Sequence, residues 1–163
     1  GINAQGSHTN EAINKSLEIN AISSWKLIQR FESLANANKE NLFPRELWIN
    51  TSEAEIQPAL SPTYEISKRL LGELVTIKMK TNNKNNKLII RKLVLGPFRS
   101  KLNPIGIMNA DFVASQITAL AELNQKLIIV TPNPLTYILM PLSELIKIIY
   151  LELTQRFNIP SKE

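Results

Sequence analysis

The chain has 163 residues, of which 44% are hydrophobic and 20% charged, a composition typical of a globular protein with its own core. It contains no cysteine, which excludes disulfides, thiolate catalysis and zinc sites built from cysteine. The formal net charge of +5 favours anionic surroundings without specifying a partner. We expect residues 1–9 to be a flexible or vector-derived segment, residues 10–40 an N-terminal helix, and residues 41–163 a single α/β domain.

The first half of the chain predicts two helices and a short strand. Between residues 10 and 37 there is no Pro or Gly, and Leu17, Ala21, Trp25 and Ile28 recur at spacings of three and four, as on one face of a helix. Residues 46–51 form a weak strand candidate. Ser61 followed by Pro62 then predicts a cap and the first residue of a second helix, which we expect to end at Gly72.

The second half predicts a hairpin, two helices and one more strand. Two runs rich in β-branched residues, 74–80 and 87–95, flank the asparagine-rich stretch TNNKNN, which suits a hairpin loop. A helix from residue 109, a strand over 126–131 and a helix over 142–157 follow. The order after residue 45 therefore predicts an α+β fold: an antiparallel sheet with the ferredoxin-like βαββαβ order, a long N-terminal helix and a C-terminal helix.

Few residues offer catalytic chemistry. The single histidine, His8, lies before the first helix, and Asp111 stands where an acid favours a helix N-terminus. Glu53 and Glu55 are expected to be exposed to solvent, and no glycine motif that cradles phosphate occurs. We therefore predict no catalytic residue, no cofactor and no metal site, and a protein that is not an enzyme.

Basic residues are concentrated between Glu73 and Asp111, where no acid occurs. On the predicted hairpin they would form a solvated face that discourages strand aggregation, or alternatively a surface that binds nucleic acid through its phosphates. The candidate anion-binding residues are Lys78, Lys80, Lys84, Lys87, Arg91, Lys92, Arg99 and Lys101.

The terminal helices favour a role in protein interaction. Residues 135–153 are strongly apolar but include Pro141, Glu144 and Lys147, so no transmembrane segment is predicted. The architecture resembles, at the level of fold only, ferredoxin-like soluble modules of bacterial pilus and secretion assemblies. We predict a non-enzymatic assembly module of a bacterial envelope or secretion-type complex, exported or periplasmic, that binds a protein partner or a second copy through Ile148 and Leu151. The alternative is a nucleic-acid-binding domain that uses the basic hairpin 78–101.

Overall fold

The computed structural model describes residues 9–37, 45–81, 88–101 and 103–157. The helices are α1 (Asn10–Leu17), α2 (Ser23–Ala37), α3 (Pro62–Thr81), α4 (Ala110–Glu122) and α5 (Thr136–Phe157). The strands are β1 (Arg45–Asn50), β2 (Leu88–Leu95) and β3 (Leu127–Val130). A π-helical segment, Glu18–Ile22, joins α1 to α2, and a 3₁₀ turn, Glu53–Glu55, follows β1.

The described strands form a parallel sheet, ordered β1-β2-β3. Arg45 pairs with Leu88 at the start of one ladder, and Lys92 pairs with Leu127 at the start of the other. Between consecutive strands the chain passes through a helix, α3 and then α4, which is the crossover that a parallel pair requires. The prediction of an antiparallel ferredoxin-like sheet was therefore wrong.

The error lies in residues 74–80, which belong to helix α3 and not to a strand. Val75 and Thr76 are β-branched, but both are buried against the rest of the protein, and this packing outweighs their modest preference for strands. Gly72 does not end the helix, because α3 begins at Pro62 as predicted and continues for 20 residues. Without a strand at 74–80 there is no hairpin; of its predicted loop, TNNKNN at 81–86, Thr81 ends α3 and the rest lies outside the described residues.

Helices cover both faces of the sheet. Leu88 and Ile90 of β2 pack in one cluster with residues of α2 and α3, and Val94 packs with Met140 of α5. Leu93 and Leu95 face the other way and pack against α4. A parallel strand buried on both faces needs apolar residues at successive positions, which explains the sequence LIIRKLVL and removes the solvated face expected of the hairpin.

The N-terminal helical region is tied to α3 by polar side chains. Thr9 caps α1 by accepting a hydrogen bond from the amide of Ala12. Further along, Asn20 lies in the π-helical segment and donates through Nδ2 to Ser67 Oγ of α3, over 3.0 Å. Ser16 Oγ donates to the carbonyl oxygen of Thr63 over 3.1 Å. These buried bonds fix the first turns of α3 against the neighbouring helix.

Helix α5 is rich in apolar residues, and Pro141 lies inside it. In the part of the chain that the structure describes, no helix combines the length and the hydropathy needed to cross a bilayer.

Candidate active site

A cavity of about 480 Å³ opens at the carboxyl ends of β1 and β2. Its wall includes the residues that follow these strands, among them Ser52 after β1 and Gly96 after β2, together with the first turns of α3. In open α/β sheets ligands bind outside the carboxyl ends of the strands, and this volume is in the range of small-molecule sites. The cavity is therefore the candidate active site.

The polar residues that line this cavity include Ser52, Tyr64 and Lys68. Tyr64 and Lys68 stand four residues apart on α3, so they lie on the same face of the helix. The Nζ atom of Lys68 is 5.7 Å from the centre of the Tyr64 ring. Ser52 is held by the 3₁₀ turn, where its Oγ accepts from the amide of Ala54 over 3.2 Å. A hydroxyl, a phenol and an ammonium group thus face one volume.

The surroundings perturb both ionisable groups of this trio. Burial raises the pKa of the Tyr64 hydroxyl; a side-chain hydrogen bond with Ser52 lowers it, and the charge of Glu53 raises it further. Burial also lowers the pKa of the Lys68 ammonium, which is partly offset by the negative charge of Glu55. Paired titratable groups with perturbed pKa values in a cleft are typical of acid–base sites.

The local sequence determines these positions. Ser61 and Pro62 start α3, with Tyr64 N donating to Ser61 Oγ over 3.4 Å, so Tyr64 falls in the first turn beside the strand ends. Ser67 Oγ donates to the Tyr64 carbonyl oxygen over 2.8 Å and accepts a hydrogen bond from Asn20 Nδ2 of the π-helical segment. Lys68 Nζ donates to the carbonyl oxygen of Asn50, the last residue of β1, over 3.3 Å. Helix α3 therefore carries the lysine, and the last residue of β1 binds its ammonium group.

A buried charge cluster is centred on Lys92 of β2, whose side chain has no exposed surface. Lys92 Nζ donates to Glu55 Oε2 over 2.7 Å and to Glu144 Oε1 over 2.9 Å. It also lies 3.0 Å from Thr76 Oγ1 and 3.1 Å from the Gly72 carbonyl oxygen. The cluster joins β2, α3, α5 and the 3₁₀ turn, so the expectation that Glu55 is exposed was wrong.

Four of the basic residues predicted as an anion-binding surface are engaged in ion pairs. Lys78 pairs with Glu32 and Lys80 with Glu152. Arg91 Nη2 lies 2.6 Å from Glu46 Oε1, and Lys92 is buried in the cluster just described. The remaining predicted residues are exposed in the loop after β2 (Arg99 and Lys101) or lie outside the described part (Lys84 and Lys87). Because the hairpin that would have aligned them is absent, their prediction as one surface loses its structural basis.

Ile148 and Leu151, the predicted partner surface, lie half-buried on α5. Their neighbours Ile146 and Tyr150 are more exposed. The prediction of a partner at these two positions stays a prediction.

Sequence reasoning missed Ser52, Tyr64 and Lys68. A usable signal was present: a tyrosine and a lysine four residues apart in the first turns of a helix, preceded by a strand ending in the hydroxyl-rich sequence NTS. Recognising it required knowing that the strand end and the helix start adjoin, which the predicted topology did not show.

No family model matches the chain. Over 150 residues the chain is 42% identical to a monoglucosyldiacylglycerol epimerase from Synechocystis sp.; the match covers 92% of this chain and 35% of that protein. The chain therefore spans about a third of the length of this curated relative. Among solved structures it is similar to a short-chain dehydrogenase from Sphingobium yanoikuyae in complex with NADPH, with a TM-score of 0.62 and 11% identity. That match covers 100% of this chain and 64% of the other.

These similarities overturn the prediction of a non-enzymatic assembly module and its nucleic-acid-binding alternative. The relative is an epimerase and the structural neighbour a dehydrogenase, so the findings point to an enzyme. The ferredoxin-like description was wrong for the fold, and the interaction and assembly descriptions were wrong for the function. The envelope location stays a prediction. The three-stranded parallel sheet covered by helices has a Rossmann-like fold of the short-chain dehydrogenase kind.

Proposed function

We propose that this chain carries the acid–base group of an epimerase that inverts a sugar carbon of a glycolipid by transient oxidation. The observation that carries the proposal is the convergence of Ser52, Tyr64 and Lys68 at the carboxyl edge of a parallel sheet. The 42% identity to monoglucosyldiacylglycerol epimerase supports the reaction and the substrate class. The likeness to an NADPH-bound dehydrogenase supports the Rossmann-like site as the place where it occurs.

The chemistry follows from what inversion requires. A carbon that bears a hydroxyl and a hydrogen inverts only if one of its bonds is broken and remade on the opposite face. Oxidation to a carbonyl makes the carbon planar, and reduction from the other face completes the inversion. A bound nicotinamide cofactor supplies the acceptance and return of hydride in such reactions. The protein must remove the hydroxyl proton and later return it to the same oxygen.

Tyr64 is the residue suited to that proton transfer. Its phenolate oxygen takes the proton as the sugar O–H bond breaks, and its hydroxyl returns the proton to the carbonyl oxygen on reduction. The Lys68 ammonium lies 5.7 Å from the ring centre, and a positive charge near a phenol favours the phenolate form. Ser52 donates a hydrogen bond to the reacting oxygen and orients it against Tyr64.

The residues that line the cavity fit the nicotinamide and ribose half of a dinucleotide cofactor. Lys68 has three N–H donors, and one of them bonds the carbonyl oxygen of Asn50. The other donors can hold hydroxyls of a cofactor ribose at the cavity wall. Phosphate binding is a different matter, because no glycine-rich phosphate turn occurs in this sequence. Any such turn would have to come from another part of the protein that contains this chain.

The decisive experiment is Tyr64→Phe, assayed by conversion of monoglucosyldiacylglycerol to its epimer in detergent. The protein assayed is the longest natural form that contains this chain, with nicotinamide cofactor added. We expect kcat to fall about 10²–10⁴-fold, the range for loss of a general acid–base, with little change in stability. Tyr150→Phe is the matched control, since Tyr150 is exposed on α5 away from the cavity, and it should leave kcat unchanged.

A second variant tests the role of the lysine. Lys68→Met removes the positive charge that favours the phenolate, so the rising limb of the pH profile of kcat/KM should move to higher pH. Full activity of Tyr64→Phe, or an unchanged pH profile for Lys68→Met, would refute this assignment.

A further inference from the structure

Large aliphatic side chains project into solvent at the mouth of the cavity. Leu60, Ile105 and Ile107 line it, yet their exposed fractions are 90%, 81% and 73%. We name these three residues the rim. Leu60 comes from the connection before α3, whereas the isoleucines come from the loop after β2, so two separate segments bring apolar residues to one opening. Exposed aliphatic residues clustered around a binding site mark a surface that meets an apolar partner.

The loop that carries the isoleucines is held in a defined conformation. The amide of Arg99 donates to the Met108 carbonyl oxygen over 2.8 Å, and that of Ile107 donates to the Pro97 carbonyl oxygen over 2.9 Å. Gly106 packs so closely on the backbone of Phe98 that a Cβ at this position would collide with it. The backbone therefore fixes Ile105 and Ile107 on either side of this glycine, in solvent.

The same loop carries two exposed basic residues, Arg99 and Lys101. Of the predicted anion-binding residues, the four described on α3 and β2 form ion pairs, whereas these two are exposed in the loop that carries two of the rim residues. Apolar side chains flanked by basic ones match the surface of a bilayer that contains anionic lipid, with the aliphatic groups among the acyl chains and the cations at the headgroups.

We propose that the rim, Arg99 and Lys101 dock the protein onto an anionic lipid bilayer, so that the cavity receives its substrate directly from the membrane. The substrate part of this inference rests on the proposed function, since a glycolipid has its sugar at the headgroup level and its acyl chains below. Docking through the rim places the mouth of the cavity at that level. The docking itself depends only on the rim and its charges and is tested without catalysis.

Vesicle sedimentation tests the docking. The protein is mixed with phosphatidylcholine vesicles with and without phosphatidylglycerol, over a salt series. We expect binding to the anionic vesicles that weakens with salt. The double variant Ile105→Ser/Ile107→Ser should lower the partition coefficient about tenfold or more, since it removes the two aliphatic side chains that enter the bilayer on docking. The double variant Arg99→Ala/Lys101→Ala should lower it by a similar factor on anionic vesicles only, at about fivefold for each charge.

The chain offers a matched control at the opposite edge of the sheet. Leu123 is 72% exposed and Lys126 is exposed, and both precede β3 at the amino ends of the strands. Leu123→Ser/Lys126→Ala removes the same kinds of groups and should leave vesicle binding unchanged. Because all substituted positions are exposed, circular dichroism should show every variant folded.

Several outcomes would overturn the docking proposal: no binding to anionic vesicles at low salt, an equal loss in the control, or a loss with Ile146→Ser on α5 but not with the rim variants. Conversion of a dimer to a monomer by the rim variants, without vesicle binding by the parent protein, would instead identify a second copy as the occupant. The two proposals fail separately. Vesicle binding with a fully active Tyr64→Phe variant refutes the acid–base assignment alone, whereas activity in detergent that requires Tyr64, with no vesicle binding, refutes the docking alone.

Discussion

The buried lysine of the sheet gives the sharpest test of the structure. Lys92→Met keeps a flexible side chain of similar length and removes the charge that faces Glu55 and Glu144 at 2.7 and 2.9 Å. The side chain of Glu55 is 1% exposed, so the variant leaves a buried carboxyl group without the ammonium that donates to it. Removing one member of a buried pair costs about 3–5 kcal/mol, a large share of the stability of a domain of this size.

The cost should depend on pH. Burial already raises the pKa of Glu55 above 4.5 in the folded protein, and Lys92 is the largest influence that lowers it. Without Lys92 the folded pKa rises further, so the folded variant binds a proton that the unfolded chain releases above 4.5. Its stability therefore falls as pH rises from 4.5 towards the new folded pKa, and the difference from the parent is larger at pH 8 than at pH 5.

Urea unfolding of the parent and variant at pH 5 and pH 8 measures both effects, with Lys126→Met as a control for loss of an exposed lysine. Adding Glu55→Gln to Lys92→Met should recover part of the loss, because an amide carries no charge to desolvate. A loss of less than about 1 kcal/mol, or the same loss at both pH values, would show that the cluster is not the buried charge network described.

Two further predictions concern neighbouring contacts. Gly72→Ala should lower the free energy of unfolding, because the added Cβ would collide with the Glu55 carboxylate. This clash outweighs the preference of helices for alanine over glycine, which is about 1 kcal/mol. A variant that is more stable in thermal unfolding would contradict this packing. Arg91 Nε and Nη2 lie 3.0 and 2.6 Å from the two carboxylate oxygens of Glu46. Glu46→Gln disrupts this two-point pairing, so we expect it to destabilise the protein by about 1 kcal/mol at pH 7 after solvent screening is allowed for. Arg91 lowers the pKa of Glu46, so the parent loses this advantage as pH falls through that pKa, and a difference that persists in acid would exclude the ion pair as its cause.

The carboxylate partners of Lys92 explain why one face of β2 tolerates a lysine, and one of them connects the charge cluster to the cavity. Glu55 is linked to both: its negative charge partly offsets the lowering of the Lys68 pKa by burial, while its Oε2 accepts a hydrogen bond from Lys92. The 3₁₀ turn that positions Ser52 is thus anchored by an ion pair within the protein interior. Loss of Lys92 is therefore expected to disturb the geometry of the site as well as the stability of the fold.

Local patterns in the sequence located several elements without help from tertiary structure. Ser61 and Pro62 predicted where α3 begins, because capping and a fixed proline φ act within one turn. The apolar runs 46–51, 87–95 and 126–131 correspond to β1, β2 and β3 within one residue at each end. Such signals depend on neighbours along the chain, which a sequence displays directly.

The tertiary structure decided the remainder. Residues 74–80 carry β-branched side chains that suit a strand, yet they are helical because Val75 and Thr76 are buried in the core. With a helix in place of this strand, the predicted hairpin becomes a crossover, and the predicted antiparallel sheet becomes a parallel one. Lys92 looked like a solvated charge because its partners, Glu55 and Glu144, are 37 and 52 residues away along the chain. The sequence alone determined the locations of the strands and the start of α3, whereas the site formed by Ser52, Tyr64 and Lys68 exists only because the parallel topology brings the end of a strand beside the start of a helix.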